Sequence, residues 1–161
     1  MMNFSNNSIL VDNYLKNQSN LLSSIILILT GTILLTLSAK ISVPFYPVPM
    51  TLQTLLVLFI GLTYGRILAP LTLALYLFQG AIGLPVFANG GGIVYLLGPT
   101  GGYLIGFLLA ATILSYLSNI GWNRNYVLTF ISLTVGTITI FSCGLLPVSY
   151  THLTLPTRRF V

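Results

Sequence analysis

Charge is the scarcest property of this chain. Of its 161 residues one is acidic, six are Lys or Arg and one is His, so charged residues make up 4%. A soluble domain carries about 25%. So few polar groups could not cover a compact body in water, and a soluble enzyme is excluded. The lone acid, Asp12, and the lone His, His152, both lie outside the apolar runs. Those runs therefore lack the paired carboxylates, or the nucleophile with its base, that an intramembrane hydrolase or acyltransferase needs. One cysteine, Cys143, excludes an intrachain disulfide and a cysteine-rich metal cluster. There is no HExxH, CxxC or Walker phosphate loop, so the chain does not itself hydrolyse ATP. The net charge of +5 comes from Lys16, Lys40, Arg66, Arg124, Arg158 and Arg159, most of them isolated. Nucleic acid requires clustered charge; none is expected as a partner here.

What is abundant is hydrocarbon. Hydrophobic residues reach 55% and mean hydropathy is +0.96. That composition predicts an all-α integral membrane protein built from several apolar helices. Residues 1–20 are polar and Asn-rich, without the layout of a signal peptide, and read as a cytoplasmic leader. The first predicted span runs from Leu21 to Ala39, rising roughly 28 Å, about one bilayer core. Pro44, Pro47 and Pro49 then forbid a continuous helix. Two shorter spans follow, Met50 to Tyr64 and Ile67 to Phe78, turning at Gly65 and Arg66. Short apolar segments between Gly and Pro suggest helices packed around a cavity.

From Gln79 to Tyr103 the chain holds glycines at 80, 83, 90, 91, 92, 98, 101 and 102, with Pro85 and Pro99. This segment is predicted to be a long ordered re-entrant or capping loop whose glycines let the backbone approach a ligand. A fourth span runs from Tyr103 to Leu117. Trp122 and Arg124 mark an interfacial break, and a fifth span covers Tyr126 to about Leu146. With a cytoplasmic N terminus, Lys16, Arg66 and Arg124 lie inside and Lys40 outside, in keeping with the positive-inside rule. Both Gly/Pro-rich loops then face outward.

The stretches VPFYPVPMTLQTLLVLFIGLTYG, GLPVFANGGG and YLLGPTGGYLIGF resemble the BioY family, the biotin-binding S components of energy-coupling factor (ECF) transporters. The resemblance extends from the first span through Leu117. It implies a six-helix membrane bundle with an outward-facing biotin pocket. It also implies a transmembrane coupling protein and two cytoplasmic ATPase subunits as partners, and a place in the bacterial cytoplasmic membrane as a transport subunit without a cofactor. Small residues on the first helix of such subunits meet the coupling protein; Gly31, Thr32, Ser38 and Ala39 could serve. An S component for riboflavin or thiamin, or a truncated non-functional membrane fragment, are the competing readings.

Biotin presents an apolar fused ring, a ureido group and a carboxylate, so its pocket needs apolar walls, donors and acceptors, and a positive end. Asn89, beside Gly90, offers an amide in the glycine loop, or else simply caps a turn there. Thr51 and Gln53 open the second span; Thr51 is also an ordinary helix cap. Tyr95, Tyr103 and Phe87 could supply walls or face lipid. Backbone N–H groups at the start of the fourth span could receive a carboxylate. Lys40 could pair with it, or stay in water.

The resemblance also implies a sixth helix whose start carries an Asp and a nearby Lys used in biotin binding, and neither is present. Residues 147–161 read PVSYTHLTLPTRRFV. Val148 to Thr157 can be back-translated in frame to the read-through of a transposase-type sequencing adapter. The expectation is a non-native tail joined at Pro147, with no role for His152, Arg158 or Arg159. A transmembrane domain from 21 to 146, lacking its last helix, would then leave part of the pocket facing lipid, and this chain would not transport biotin as it stands.

Overall fold

The computed structural model describes residues 21–44 and 50–153, with side chains to Ser149. The leader and the side chain of His152, like Arg158 and Arg159, lie outside the described residues. Helix α1 spans Leu21–Lys40, α2 Gln53–Thr63 and α3 Gly65–Ala81. The short α4 covers Ile93–Leu97, α5 Gly101–Asn119 and α6 Tyr126–Leu153, with a 3-10 turn at Trp122–Arg124 before α6. Two-residue strands β1 (Ser42–Val43) and β2 (Met50–Thr51) pair antiparallel, Ser42 opposite Thr51. This small hairpin leads the chain into α2.

Among the described residues three helices are long and apolar enough to cross a membrane: Leu21–Lys40, Gly101–Asn119 and Tyr126–Ser149. Helix α2, with 11 residues, rises only about 17 Å and packs against α1, α3, α5 and α6. Its buried face, Gln53, Val57, Ile60 and Gly61, follows the helical repeat. Tyr64 closes α2 and opens α3. Gly65, at φ +84°, makes this reversal in a backbone region that a side chain would strain.

Serine and threonine are tolerated in these apolar helices because their hydroxyls donate one turn back. Thr72 Oγ1 reaches the Leu68 carbonyl at 2.7 Å, Ser132 Oγ the Leu128 carbonyl at 2.9 Å, and Thr36 Oγ1 the Thr32 carbonyl at 2.8 Å. Ser118 instead reaches across the bundle, donating to the carbonyl of Leu62 at 2.7 Å. That bond satisfies a carbonyl in the last turn of α2. At the same end Arg66 lies over the ring of Tyr116, 5.5 Å from its centroid. Arg66 and Arg124 therefore mark one end of the bundle, and Lys40 with the hairpin and glycine loop the other.

Two expectations are corrected. Gly31, Thr32 and Ala39 do not form a free surface for a partner protein: all three are buried, as is Ser38. A Cβ on Gly31 would lie 2.6 Å from Thr72 Cγ2 and 3.2 Å from the Tyr64 ring. Small residues here bring α1 onto α3 within the chain. Second, α6 does not stop at Leu146 but passes through Pro147 to Leu153. Proline leaves the carbonyl four residues back, on Cys143, without its helical donor. That carbonyl faces Gly102 of α5, where a Cβ would lie 2.5 Å from it. The absent side chain gives it room against a neighbouring helix.

Candidate functional site

The site grows from the end of α3. Gly80 leaves a space that the ring of Phe87 fills, for a Cβ there would overlap that ring. Phe87 is 1% exposed. It meets Tyr76 edge-on at 5.5 Å and stacks on Tyr95 at 5.1 Å and 19°. Three backbone carbonyls of the loop are held from outside or across it. Tyr76 Oη donates to Val86 at 2.9 Å, Lys40 Nζ to Phe87 at 2.8 Å, and the Gly92 N–H to Gly80 at 2.7 Å. The Phe87 N–H also donates to Gly90 at 2.9 Å. The glycine loop is therefore an ordered cap, with α4 inside it.

Beneath this cap is a cavity of about 140 Å³. Phe87, Ala88 and Tyr95 line it from the loop, Thr51 from β2, and Gln53 and Thr54 from the start of α2. Tyr103, Leu104 and Phe107 of α5, with Ile140 and Phe141 of α6, complete the wall. Tyr103 and Phe141 meet edge to face at 6.2 Å. Met50, 60% exposed, and Phe141, 44% exposed, stand at the rim, whereas Gln53 is 3% exposed. Among the described residues no charged side chain lines the cavity. Nor do three His, Cys, Asp or Glu side chains come together as a metal centre among them.

Gln53 is the polar residue at depth, its Nε2 shielded from solvent. It lies beside the Tyr76 hydroxyl, whose proton goes to the Val86 carbonyl and whose oxygen keeps lone pairs that can accept from the amide. Thr100 borders the same space and precedes α5. Its hydroxyl bonds back to Tyr95 at 3.3 Å rather than capping α5, so the first turn of α5 has no side-chain cap.

Of the site residues expected from sequence, the structure brings Thr51, Gln53, Phe87, Tyr95 and Tyr103 to the cavity. It does not place Asn89, Gly90 or Lys40 there. Asn89 is exposed at the tip of the Phe87–Gly90 turn, next to cavity-lining Ala88. Gly90 closes that turn. Lys40 is exposed, as one of its two readings expected, and does not line the cavity; its Nζ donates to the Phe87 carbonyl at 2.8 Å. Sequence reading missed the α6 wall, Ile140 and Phe141. It also missed a usable signal for it, the glycines Gly102 and Gly106 at four-residue spacing, which let α5 approach α6.

The Lys40 clamp is a charge-assisted bond worth about 1.5–3 kcal/mol when well formed. Lys40→Met is expected to leave the helices intact and to lower hydrogen-exchange protection of the Phe87 and Gly92 amides by about tenfold. Unchanged protection at both amides would show that the loop holds without it.

The BioY family model matches residues 10–159. The chain belongs to the BioY family. The biotin transporter BioY of Thermotoga maritima is 47% identical over 88 residues, 54% of this chain and 52% of that protein. The probable biotin transporter BioY of Rickettsia prowazekii is 34% identical over 134 residues, 83% of this chain and 68% of that protein. The chain thus spans about half the length of the first relative and two thirds of the second. In fold it is similar to the S-component for biotin from an ECF-type ABC transporter, solved at 2.1 Å. That likeness has a TM-score of 0.68 at 22% identity and covers 85% of this chain and 76% of that one. The all-α, multi-pass membrane bundle of the BioY family is therefore the fold of this chain.

Proposed function

We propose that this BioY-family chain is the biotin-capturing subunit of an ECF-type membrane transporter, not an enzyme. The observation that carries the reading is the capped cavity, lined by no charged side chain among the described residues, in a chain whose relatives are named biotin transporters. A space of about 140 Å³ is close to the 150 Å³ that accepts one benzene ring. It suits a small ring system entering head first, with the valeryl chain leading to the rim. Tyr95, Tyr103 and Phe87 form apolar walls, and Thr51 and Gln53 supply polarity. The uncapped first turn of α5 carries partial positive charge. That turn, with Asn89 and Gly90 at the lip, is assigned the carboxylate end. Lys40 acts on this site by holding the loop.

The cavity end faces outward in this proposal. Arg66 and Arg124 then face the cytoplasm together with the N terminus and Lys16, following the positive-inside rule. Capture outside and release inside need an energy source that this chain does not contain, so a membrane coupling protein and two ATPase subunits are its proposed partners. Because Gly31, Thr32 and Ala39 are used internally, the coupling protein would meet another surface. Residues 147–161 are proposed to be adapter-derived, and sequencing the source DNA decides this.

The test is uptake of radiolabelled biotin by cells expressing the complete reading frame of the source DNA. Uptake of biotin, unaffected by excess riboflavin or thiamin, is expected. Uptake of either other vitamin instead would keep the fold and overturn the substrate.

A further inference from the structure

We infer that Tyr76 is a positioning residue of the capture site: without touching the cavity, its hydroxyl ties the cap to the wall on α2 and sets how long a bound ligand is retained. The inference rests on the biotin reading above and goes further, to the residue that keeps the site closed. Tyr76 is fully buried. It is not among the residues lining the cavity, yet it meets a lining residue on each side. Its ring makes the edge contact with Phe87, and its hydroxyl lies beside the Gln53 side chain. The phenolic proton goes to the Val86 carbonyl at 2.9 Å, and the lone pairs of the same oxygen can accept from the Gln53 amide. A hydroxyl serves both neighbours at once. An ammonium, which only donates, does not.

The fold builds this contact from one face of α3. Tyr76 and Gly80 are four residues apart and both buried, so they share one side of the helix. Gly80 gives the Phe87 ring its space, and its carbonyl accepts the Gly92 N–H. Both arms of the loop are therefore fastened to the end of α3. Lys40 takes the next carbonyl along, that of Phe87. Lys40 is exposed, however, and its ammonium can trade that carbonyl for water. The Tyr76 hydroxyl has no such exchange. If the cap lifts, its proton loses the Val86 acceptor within an apolar core, where a polar group without a partner is costly. Lifting the cap is thus penalised at Tyr76, and a captured ligand leaves only when the cap lifts.

The experiment measures association and release of radiolabelled biotin by Tyr76→Phe, Thr72→Val and the unaltered protein, all expressed from the complete source reading frame and held in nanodiscs. Tyr76→Phe keeps the ring against Phe87 and removes only the oxygen. Thr72→Val removes a hydroxyl one turn earlier on the same buried face, where it bonds locally to the Leu68 carbonyl. Tyr76→Phe is expected to release biotin roughly tenfold faster, with association within about threefold. Its Phe87 and Gly92 amides should also lose protection against hydrogen exchange. Thr72→Val should release biotin within about twofold of the unaltered rate. Loss of folded protein lowers the number of sites and not the release rate, so the rate separates positioning from a purely structural role. Should Tyr76→Phe fail to fold, the unaltered protein supplies a second measurement. The Leu52 amide, bonded to Ile41 at the entry to α2, and the Phe87 amide should then exchange through one shared opening, with opening constants within about threefold. Release within about twofold by folded Tyr76→Phe, or openings that differ by about tenfold, would overturn the role of Tyr76 alone. Unaltered protein that binds no biotin would overturn the biotin reading, and this inference with it.

Discussion

Phe87→Ala is expected to abolish tight ligand binding while leaving the long helices formed. The ring is the centre of the capping loop: it fills the space left by Gly80, contacts Tyr76 and Tyr95, and forms part of the cavity wall. Truncating a buried Phe costs about 3–5 kcal/mol. The loss falls on the loop, because α1, α3 and α5 have their own contacts. Gly80→Val attacks the same contact from the other side, since its Cβ would occupy the place of the ring. Both variants should keep the far-ultraviolet circular dichroism of the unaltered protein and lose at least tenfold in biotin affinity. Phe87→Leu should lie between. Full affinity in Phe87→Ala would mean that the cap does not form the site.

The second large effect is expected at Gly106. A Cβ there would lie 3.0 Å from both the Cα and the carbonyl oxygen of Ile140, backbone atoms that cannot rotate away. Helix α6 packs mainly on α5 and touches α2 much less, so Gly106→Leu forces apart the contact that holds it. Overpacking commonly costs about 1–3 kcal/mol, and a leucine against backbone belongs at the upper end. Cys143, the single cysteine, reports the event, because its Cβ would be 3.2 Å from a Cβ on Gly106. Its reaction with a small maleimide in detergent should quicken roughly tenfold or more in Gly106→Leu. An unchanged rate with unchanged binding would show that α6 is held by other contacts.

Much of this architecture was legible because a membrane leaves few options. The charge-free run from Leu21 could only be a spanning helix, and the reversal at Gly65 stood where hydropathy and a turn residue coincide. The glycine loop was readable as ordered because its side chains remain apolar. What it would enclose was not, since Phe87 and Asn89 differ by two residues in sequence and by burial in space. Asn89 carried the obvious chemistry, but the turn closed by Gly90 leaves it exposed. Gln53 was the quieter candidate, and the register of α2 places it inside.

The small residues of α1 illustrate a different limit. Gly31, Thr32, Ser38 and Ala39 identify a close-packing face, but a sequence pattern does not say whether the neighbour belongs to the same chain. Here it is α3. The fifth span was expected to end at about Leu146, yet α6 runs on through Pro147, with the freed carbonyl of Cys143 lying against Gly102 of α5. Both outcomes depend on partners distant in sequence.

The most direct measurement is equilibrium binding of radiolabelled biotin to the protein encoded by the complete source reading frame, purified into nanodiscs, with riboflavin and thiamin as competitors. The 161-residue chain should be measured beside it. Saturable binding of one biotin per chain, displaced by unlabelled biotin and by neither competitor, is expected for the complete product, with weaker binding by the shorter form. No saturable biotin binding by a monodisperse, helical complete product would contradict the assignment of this cavity to biotin.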